Sequence, residues 1–255
     1  MKKKILIISL FTLLTQYTLH SQWIPQSIPV NKPIIGIDFA DENTGWAITE
    51  NTSLTDTAYV LSTTNGGVNW NVQFQGNFGL YSLSVINNQQ VYAGGSDGDA
   101  ILYKTTNSGK NWVNMNVQVT SGIDALFFIN ADTGYIGDEL FGGLYLTTDG
   151  GTSWLQRQNG LTVDPRTLFF LNYDTGYCGG SSSIFKTTNS GLNWIFLFDF
   201  GVFGSRRPLS LQFLNEIKGW AGLTNNGVGI TTNGGLDWNL VIPVTIGAYE
   251  LPGLY

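Results

Sequence analysis

The sequence predicts an all-β fold, a β-propeller of four-stranded antiparallel blades, and three observations predict it. A box of the form T-T-[ND]-[GS]-G-x-[NSD]-W occurs five times, at 63–70, 105–112, 147–154, 187–194 and 231–238, with Trp-to-Trp spacings of 42, 42, 40 and 44 residues. A second motif alternates with it, leading from an apolar residue through a polar turn into a short strand that opens on an aromatic: Phe39–Trp46, Val85–Tyr92, Phe128–Tyr135, Phe170–Tyr177 and Phe213–Trp220. The composition is that of a turn-rich β protein: 255 residues hold 32 Gly, 8 Trp, 11 Tyr and 15 Phe, and only 12% are charged.

Each period divides into four short strands, here lettered A to D. In the third unit, strand A is expected at 124–129, a turn at 130–134, strand B at 135–138, strand C at 144–147, and strand D from Trp154, with the box as the C–D turn. Four strands in 40–45 residues is the period of a propeller blade. One blade cannot bury both of its faces, so blades must stack around an axis. Helical repeats would need 3.6-periodic apolar stripes, which the sequence lacks.

The residue types in the box explain its recurrence. Thr63 and Asn65 have side chains that can bond the backbone of a tight turn, as have Thr105 and Asn107, Thr147 and Asp149, Thr187 and Asn189, and Thr231 and Asn233. Gly67, Gly109, Gly151, Gly191 and Gly235 permit positive φ. Trp70, Trp112, Trp154, Trp194 and Trp238 return the chain to the layer between blades, where burying an indole of about 200 Å² contributes at most roughly 5 kcal/mol. All twenty residues read as structural. A cation loop would want Asp where four of the five boxes carry Asn, so no metal site is expected.

The boxes resemble the Asp-box, or BNR, repeat, S/T-x-D/N-x-G-x-x-W. With the intervening motif the chain is similar to the propellers of photosystem II stability/assembly factors, and the same repeat is found in sialidases, xyloglucan-active glycosidases and sortilin-type receptors. The resemblance covers residues 23 to about 240. It implies the propeller fold; the box is a scaffold element in all of these families.

Two domains are expected: a signal peptide at 1–21 and a propeller at 22–255. Lys2, Lys3 and Lys4 precede the apolar run Ile5–Leu14, and Leu19-His20-Ser21 offers a cleavage context. The apolar run is short for a membrane span, and no other stretch is apolar enough to cross a bilayer. Trp23 reads as an orphan strand D. Five complete units plus partial blades suggest a truncated form of a six- or seven-bladed parent.

Removal of the leader leaves 9 basic residues against 18 acidic ones, a net charge of −9. Such a surface disfavours nucleic acid and anionic lipid as partners. His20 is the only His, so the mature chain has no imidazole for a Ser-His-Asp or Cys-His pair or for a His-ligated metal. Cys178 is the only Cys and lies in an apolar strand, so it reads as an inert thiol, and no disulfide is expected within the chain. No cofactor is implied.

The A–B and C–D turns should share one face of the disc, and the D–A and B–C loops the other. The second face is where variation is free and function is expected. Its longest loop, 197–208, brings Phe198, Phe200, Phe203, Arg206 and Arg207 together in an Arg-poor chain, and Arg166 enters the preceding strand A near the same rim. Aromatics with Arg suit a protein or glycan contact patch. The plainer alternative has the Phe residues filling the space between blades and the arginines solvated. Asp97 with Asp99, and Asp138 with Glu139, could do glycosidic acid/base work, but they are near neighbours within polar hairpins, where turn formation explains them. The reading is therefore an exported, secreted or surface/periplasmic, non-enzymatic scaffold that binds a protein or glycan partner. The alternative is a glycoside hydrolase using loop carboxylates.

Overall fold

A computed structural model describes residues 25–51, 56–119, 121–138 and 143–242. The expected leader, Trp23, Glu139 and the stretch after Ile242 lie outside these residues. The described chain forms five four-stranded antiparallel sheets arranged as a five-bladed propeller, each sheet ordered as the sequence runs. The first contains β1 (Ile34–Phe39), β2 (Gly45–Thr49), β3 (Ala58–Thr63) and β4 (Asn71–Gly76). The second contains β5 (Gly79–Val85), β6 (Val91–Ser96), β7 (Ala100–Thr105) and β8 (Val113–Asn114). The third contains β9 (Ile123–Phe128), β10 (Gly134–Asp138), β11 (Leu144–Thr147) and β12 (Leu155–Gln156), close to the bounds expected from sequence. The fourth contains β13 (Thr167–Phe170), β14 (Gly176–Gly180), β15 (Ser183–Thr187) and β16 (Ile195–Asp199). The fifth contains β17 (Pro208–Phe213), β18 (Gly219–Leu223), β19 (Gly227–Thr231) and β20 (Asn239–Val241).

All five boxes close the same way. The buried Thr hydroxyl donates to the Asn or Asp carbonyl-type oxygen two residues on, at 2.8–3.1 Å. The same hydroxyl accepts from the glycine N–H four residues on, at 2.9–3.0 Å. The Asn or Asp oxygen accepts from the N–H before the Trp, at 2.8–3.0 Å. Gly67, Gly109, Gly151, Gly191 and Gly235 all have φ between 74° and 93°, where a side chain would be strained.

The two repeating motifs are also tied to each other. The fourth box residue donates its N–H to a carbonyl in the A–B turn of the same sheet: Gly66 to Asn43, Ser108 to Gln89, Gly150 to Asp132, Ser190 to Asp174 and Gly234 to Ile217, at 2.8–3.0 Å. The A–B turns are in turn held by Asp41, Asn87, Asn130, Asn172 and Asn215, whose side-chain oxygens accept from the N–H three residues on.

The glycine after each A–B turn answers a ring. A Cβ on Gly45, Gly134, Gly176 or Gly219 would stand 2.4–2.5 Å from the ring of Phe39, Phe128, Phe170 or Phe213. In the second sheet Val85 replaces the Phe, and Val91 replaces the glycine across the same pair of strands. With no ring to clear, the glycine is unnecessary.

Successive sheets join through aromatic stacks. Tyr92 lies on Phe128 of the next sheet (ring centroids 3.7 Å apart, 5° between planes), Tyr135 on Phe170 (4.0 Å, 11°) and Tyr177 on Phe213 (3.7 Å, 7°). The box Trp of the later sheet meets the same Phe edge-on: Trp154, Trp194 and Trp238 at 6.1–6.3 Å. At the first junction Trp46 shares an apolar cluster with Val85, Phe74 and Trp112. The first and fifth sheets do not pack on one another as successive sheets do. Phe39, 38% exposed, meets Trp70 edge-on and has no preceding sheet above it among the described residues, whereas Phe128, Phe170 and Phe213 are 5%, 5% and 2% exposed. Trp70 is instead grouped with Ile28 and Val30 of the segment before β1.

Candidate functional site

Each sheet leaves its repeat motifs on one face and its irregular connections on the other. On the second face, three connections from the fourth and fifth sheets enclose a cleft of about 500 Å³. It is lined by Asp164 and Arg166 before β13, Ser181 and Ser182 between β14 and β15, and Ser205 and Arg207 before β17.

The loop between β16 and β17 is shorter than the sequence suggested. Strand β16 runs on to Asp199, whose side chain caps a single 3₁₀ turn, Phe200–Phe203, by accepting from Gly201 N–H at 2.7 Å. Ser182 donates to the same carboxylate oxygen at 2.5 Å. That hydroxyl bond, then the Gly201 bond, hold the Asp199 carboxyl below its ordinary range. The turn ends on Gly204 (φ 90°), and Ser205 follows at φ 56°. One carboxylate thus ties the B–C hairpin to the D–A loop.

The six residues singled out from sequence separate into two groups. Phe200 is fully buried, 5.3 Å from the Trp238 ring, and Phe198 and Phe203 pack around it at 5.2 and 6.2 Å. These three rings fill the space between the fourth and fifth sheets and anchor the loop. Arg206 turns inward with them, donating through Nη1 to the carbonyls of Thr224 (2.8 Å) and Asn225 (2.5 Å). Arg166 and Arg207 are exposed and share the cleft. Arg166 Nη1 is paired with Asp124 Oδ2 at 2.5 Å, which fixes its direction. Arg207 is fixed at its backbone: its N–H donates to Thr224 Oγ1 at 2.9 Å and its carbonyl accepts from Thr224 N–H at 3.0 Å.

Asp164, Ser181, Ser182 and Ser205 were not singled out from sequence. The signal was positional: all four fall in the D–A and B–C connections of adjoining units. Two guanidinium groups, one carboxylate and three serines suit an anionic or hydrogen-bonding chain laid across the cleft.

The other candidate carboxylates hold their own loops. Asp97 Oδ1 accepts from Asp99 N–H at 3.4 Å and Asp97 N–H donates to Asp99 O at 3.1 Å. Asp138 is 2% exposed and accepts from the Ser121 hydroxyl. Cys178 is fully buried, and burial pushes its thiol pKa up. Among the described residues no three His, Cys, Asp or Glu side chains gather to hold a metal, and no helix is long and apolar enough to cross a membrane.

Five repeated four-stranded sheets, each closed by a T-x-[ND]-x-G-x-x-W turn, define a BNR-type propeller. The chain belongs to the photosynthesis system II assembly factor YCF48 family, whose model matches residues 15–154. No curated protein matches it. Among solved structures, a YCF48 bound to a D1 peptide superposes with a TM-score of 0.61 at 15% identity, covering 85% of this chain and 71% of that one. The GH74 enzyme of Niastella koreensis gives 0.62 at 19% identity, covering 81% of this chain and 38% of the enzyme. A chain of a nidogen–laminin complex gives 0.65 at 12% identity, covering 83% and 81%. At these identities the likeness is one of fold.

Proposed function

We propose that this protein is an exported, non-enzymatic scaffold that binds a segment of a partner protein on the loop face, in the cleft between the fourth and fifth sheets. The observation that carries the reading is the pair of exposed guanidinium groups, Arg166 and Arg207, brought to one cleft from separate loops of an acidic chain that has only four arginines. Membership of an assembly-factor family supports it, as does the solution of a YCF48 propeller with a peptide bound. Arg166 and Arg207 would take carboxylates or backbone carbonyls of the partner, and Ser181, Ser182 and Ser205 would serve its remaining polar groups.

The test uses a fluorescent, aspartate- and glutamate-rich octapeptide and its alanine/serine counterpart as probes. Arg166→Ala and Arg207→Ala should each weaken the acidic peptide by about tenfold or more, the loss of one charged hydrogen bond, while Arg207→Ala leaves Tm unchanged. Binding by both variants that equals that of the parent chain, or binding by the parent that is equal for both peptides, removes the cleft from the reading. The glycoside hydrolase alternative gains no support from a particular contact: Asp138 is buried under Ser121, and Asp97 and Asp99 bind within one hairpin.

A further inference from the structure

The cleft holds two opposite charges that the fold keeps apart. Asp164 and Arg207 stand at equivalent places in adjoining repeats, each directly before the proline that leads into its sheet. Pro165 packs on Gly137 of the third sheet and Pro208 on Gly179 of the fourth: a Cβ on those glycines would stand 2.6 and 2.8 Å from the proline rings. A residue before proline is held extended, and neighbouring side chains of an extended chain alternate in direction. Asp164 and Arg207 therefore turn from that packing into the cleft, which both line. Their backbones are pinned as well. Arg166 N–H, two residues after Asp164, donates to Gly179 O at 2.8 Å, and Arg207 is bonded through its N–H and its carbonyl to Thr224. The first three repeats carry Pro33, Gly79 and Gly122 at this place, so charge enters it only where the cleft lies.

The other charges around the cleft are already met. Arg166 is paired with Asp124, and Asp199 accepts from Ser182 and from Gly201 N–H. Among the described residues neither the Asp164 carboxylate nor the Arg207 guanidinium has an ion pair or a hydrogen bond, and the two do not pair with each other. A free carboxylate and a free guanidinium across one cleft of about 500 Å³ match two opposite charges on one ligand. A second acid beside the first would face Asp164, and that repulsion selects against it. In an extended segment, side chains two residues apart share a side and stand about 7 Å from each other, a spacing that such a cleft spans. Resting on the reading of this cleft as a peptide site, we propose that its ligand is an extended segment of mixed charge. One Asp or Glu of the segment seats on Arg207, and one Lys or Arg, two residues away, seats on Asp164. Arg166, its charge met by Asp124, keeps N–H groups for a carbonyl of the segment, and Ser181 and Ser205 serve its backbone.

Fluorescent Ser/Gly octapeptides with Glu-x-Lys, Lys-x-Glu, Glu-x-Gln or Gln-x-Lys at the centre test this by anisotropy with the full chain. The tighter of the two mixed peptides should bind about fivefold better than either singly charged one at low salt, the gain from one partly exposed ion pair. Asp164→Asn should remove the preference over Glu-x-Gln, and Asp164→Lys should reverse it. Arg207→Ala should remove the preference over Gln-x-Lys. Equal binding of the mixed and Glu-x-Gln peptides by the parent chain, or a preference that survives in both Asp164 variants, overturns the proposal. If Arg207→Ala still weakens Glu-x-Gln in that case, the cleft remains a peptide site without a role for Asp164. Binding that does not respond to Arg207→Ala with any peptide, or no binding at all, removes the peptide site and the mixed-charge ligand together.

Discussion

The two faces of the disc follow different rules. On the face of the A–B and C–D turns, the five boxes make the same three bonds within about 0.3 Å of one another and are latched to the A–B turns by one further bond each. On the opposite face the connections differ in every unit, from the two residues between β4 and β5 to the 3₁₀ turn, glycine cap and paired arginines before β17. Side chains that recur serve closure of the sheets; those that occur once are free to meet a partner. Cost should therefore fall on stability when the first face is changed and on binding when the second is.

The sharpest break of that rule is sought at Trp194, which is 4% exposed and donates from Nε1 to Arg157 O of the preceding unit at 2.8 Å. Trp194→Ala should cost about 3–5 kcal/mol and lower Tm by roughly 10 °C in thermal unfolding. Val202→Ala, at a side chain 72% exposed on the loop face, should leave Tm alone. Next comes Thr187→Val, which keeps shape but strips the hydroxyl from the Gly191 N–H and Asn189 Oδ1. Chemical denaturation should show a loss of about 1–3 kcal/mol, largely recovered by Thr187→Ser.

Two carboxyls sharpen the comparison with opposite signs. Asp38 lies between the first two sheets, where burial pushes its carboxyl up to about 6 against the bonds it accepts from Val85 N–H (2.7 Å) and Phe39 N–H (2.9 Å). Folded Asp38 thus keeps its proton to higher pH than the unfolded chain does. It destabilises the fold at neutral pH, and that penalty fades as pH falls from about 6 to 4. Asp38→Asn should gain about 1–2 kcal/mol at pH 7.5 and nothing near pH 4. Asp149, in the third box, is held down to about 2, first by the Ser153 hydroxyl and then by the Ser153 N–H. Its contribution is complete above pH 4 and is lost as pH falls toward 2, so Asp149→Asn should flatten the acid limb of a melting-temperature profile.

The smallest effect on stability belongs to neighbouring arginines. Arg206→Ala leaves two carbonyls of the β18–β19 turn unbonded and should cost about 1 kcal/mol. Arg207→Ala should stay within about 0.5 kcal/mol of the parent and register only in peptide binding.

The fold was legible because its determinants are local and repeated. A Thr, an Asn, a Gly and a Trp at fixed offsets make a turn wherever they occur, and five such turns at one period leave few architectures. Even the degenerate unit was informative, since Val91 departs from glycine where Val85 departs from phenylalanine. The cleft was legible only in part. Composition picked out the arginines and phenylalanines of one loop, but it could not sort Phe200 and Arg206, which point between sheets, from Arg207, which points away. That choice is made by the Asp199 cap and by Trp238 behind the turn. Ser181, Ser182 and Asp164 join the cleft through adjacency of sheets, a relation absent from any short stretch of chain.

The seclusion of Cys178 has a practical consequence. Seated in the middle of β14 between two sheets and disinclined to ionise, it is closed to aqueous maleimides and oxidants. A cysteine placed by design at the cleft rim would then be the single reactive handle on the molecule, so a dye or spin probe could report partner capture without any need to remove the native thiol first.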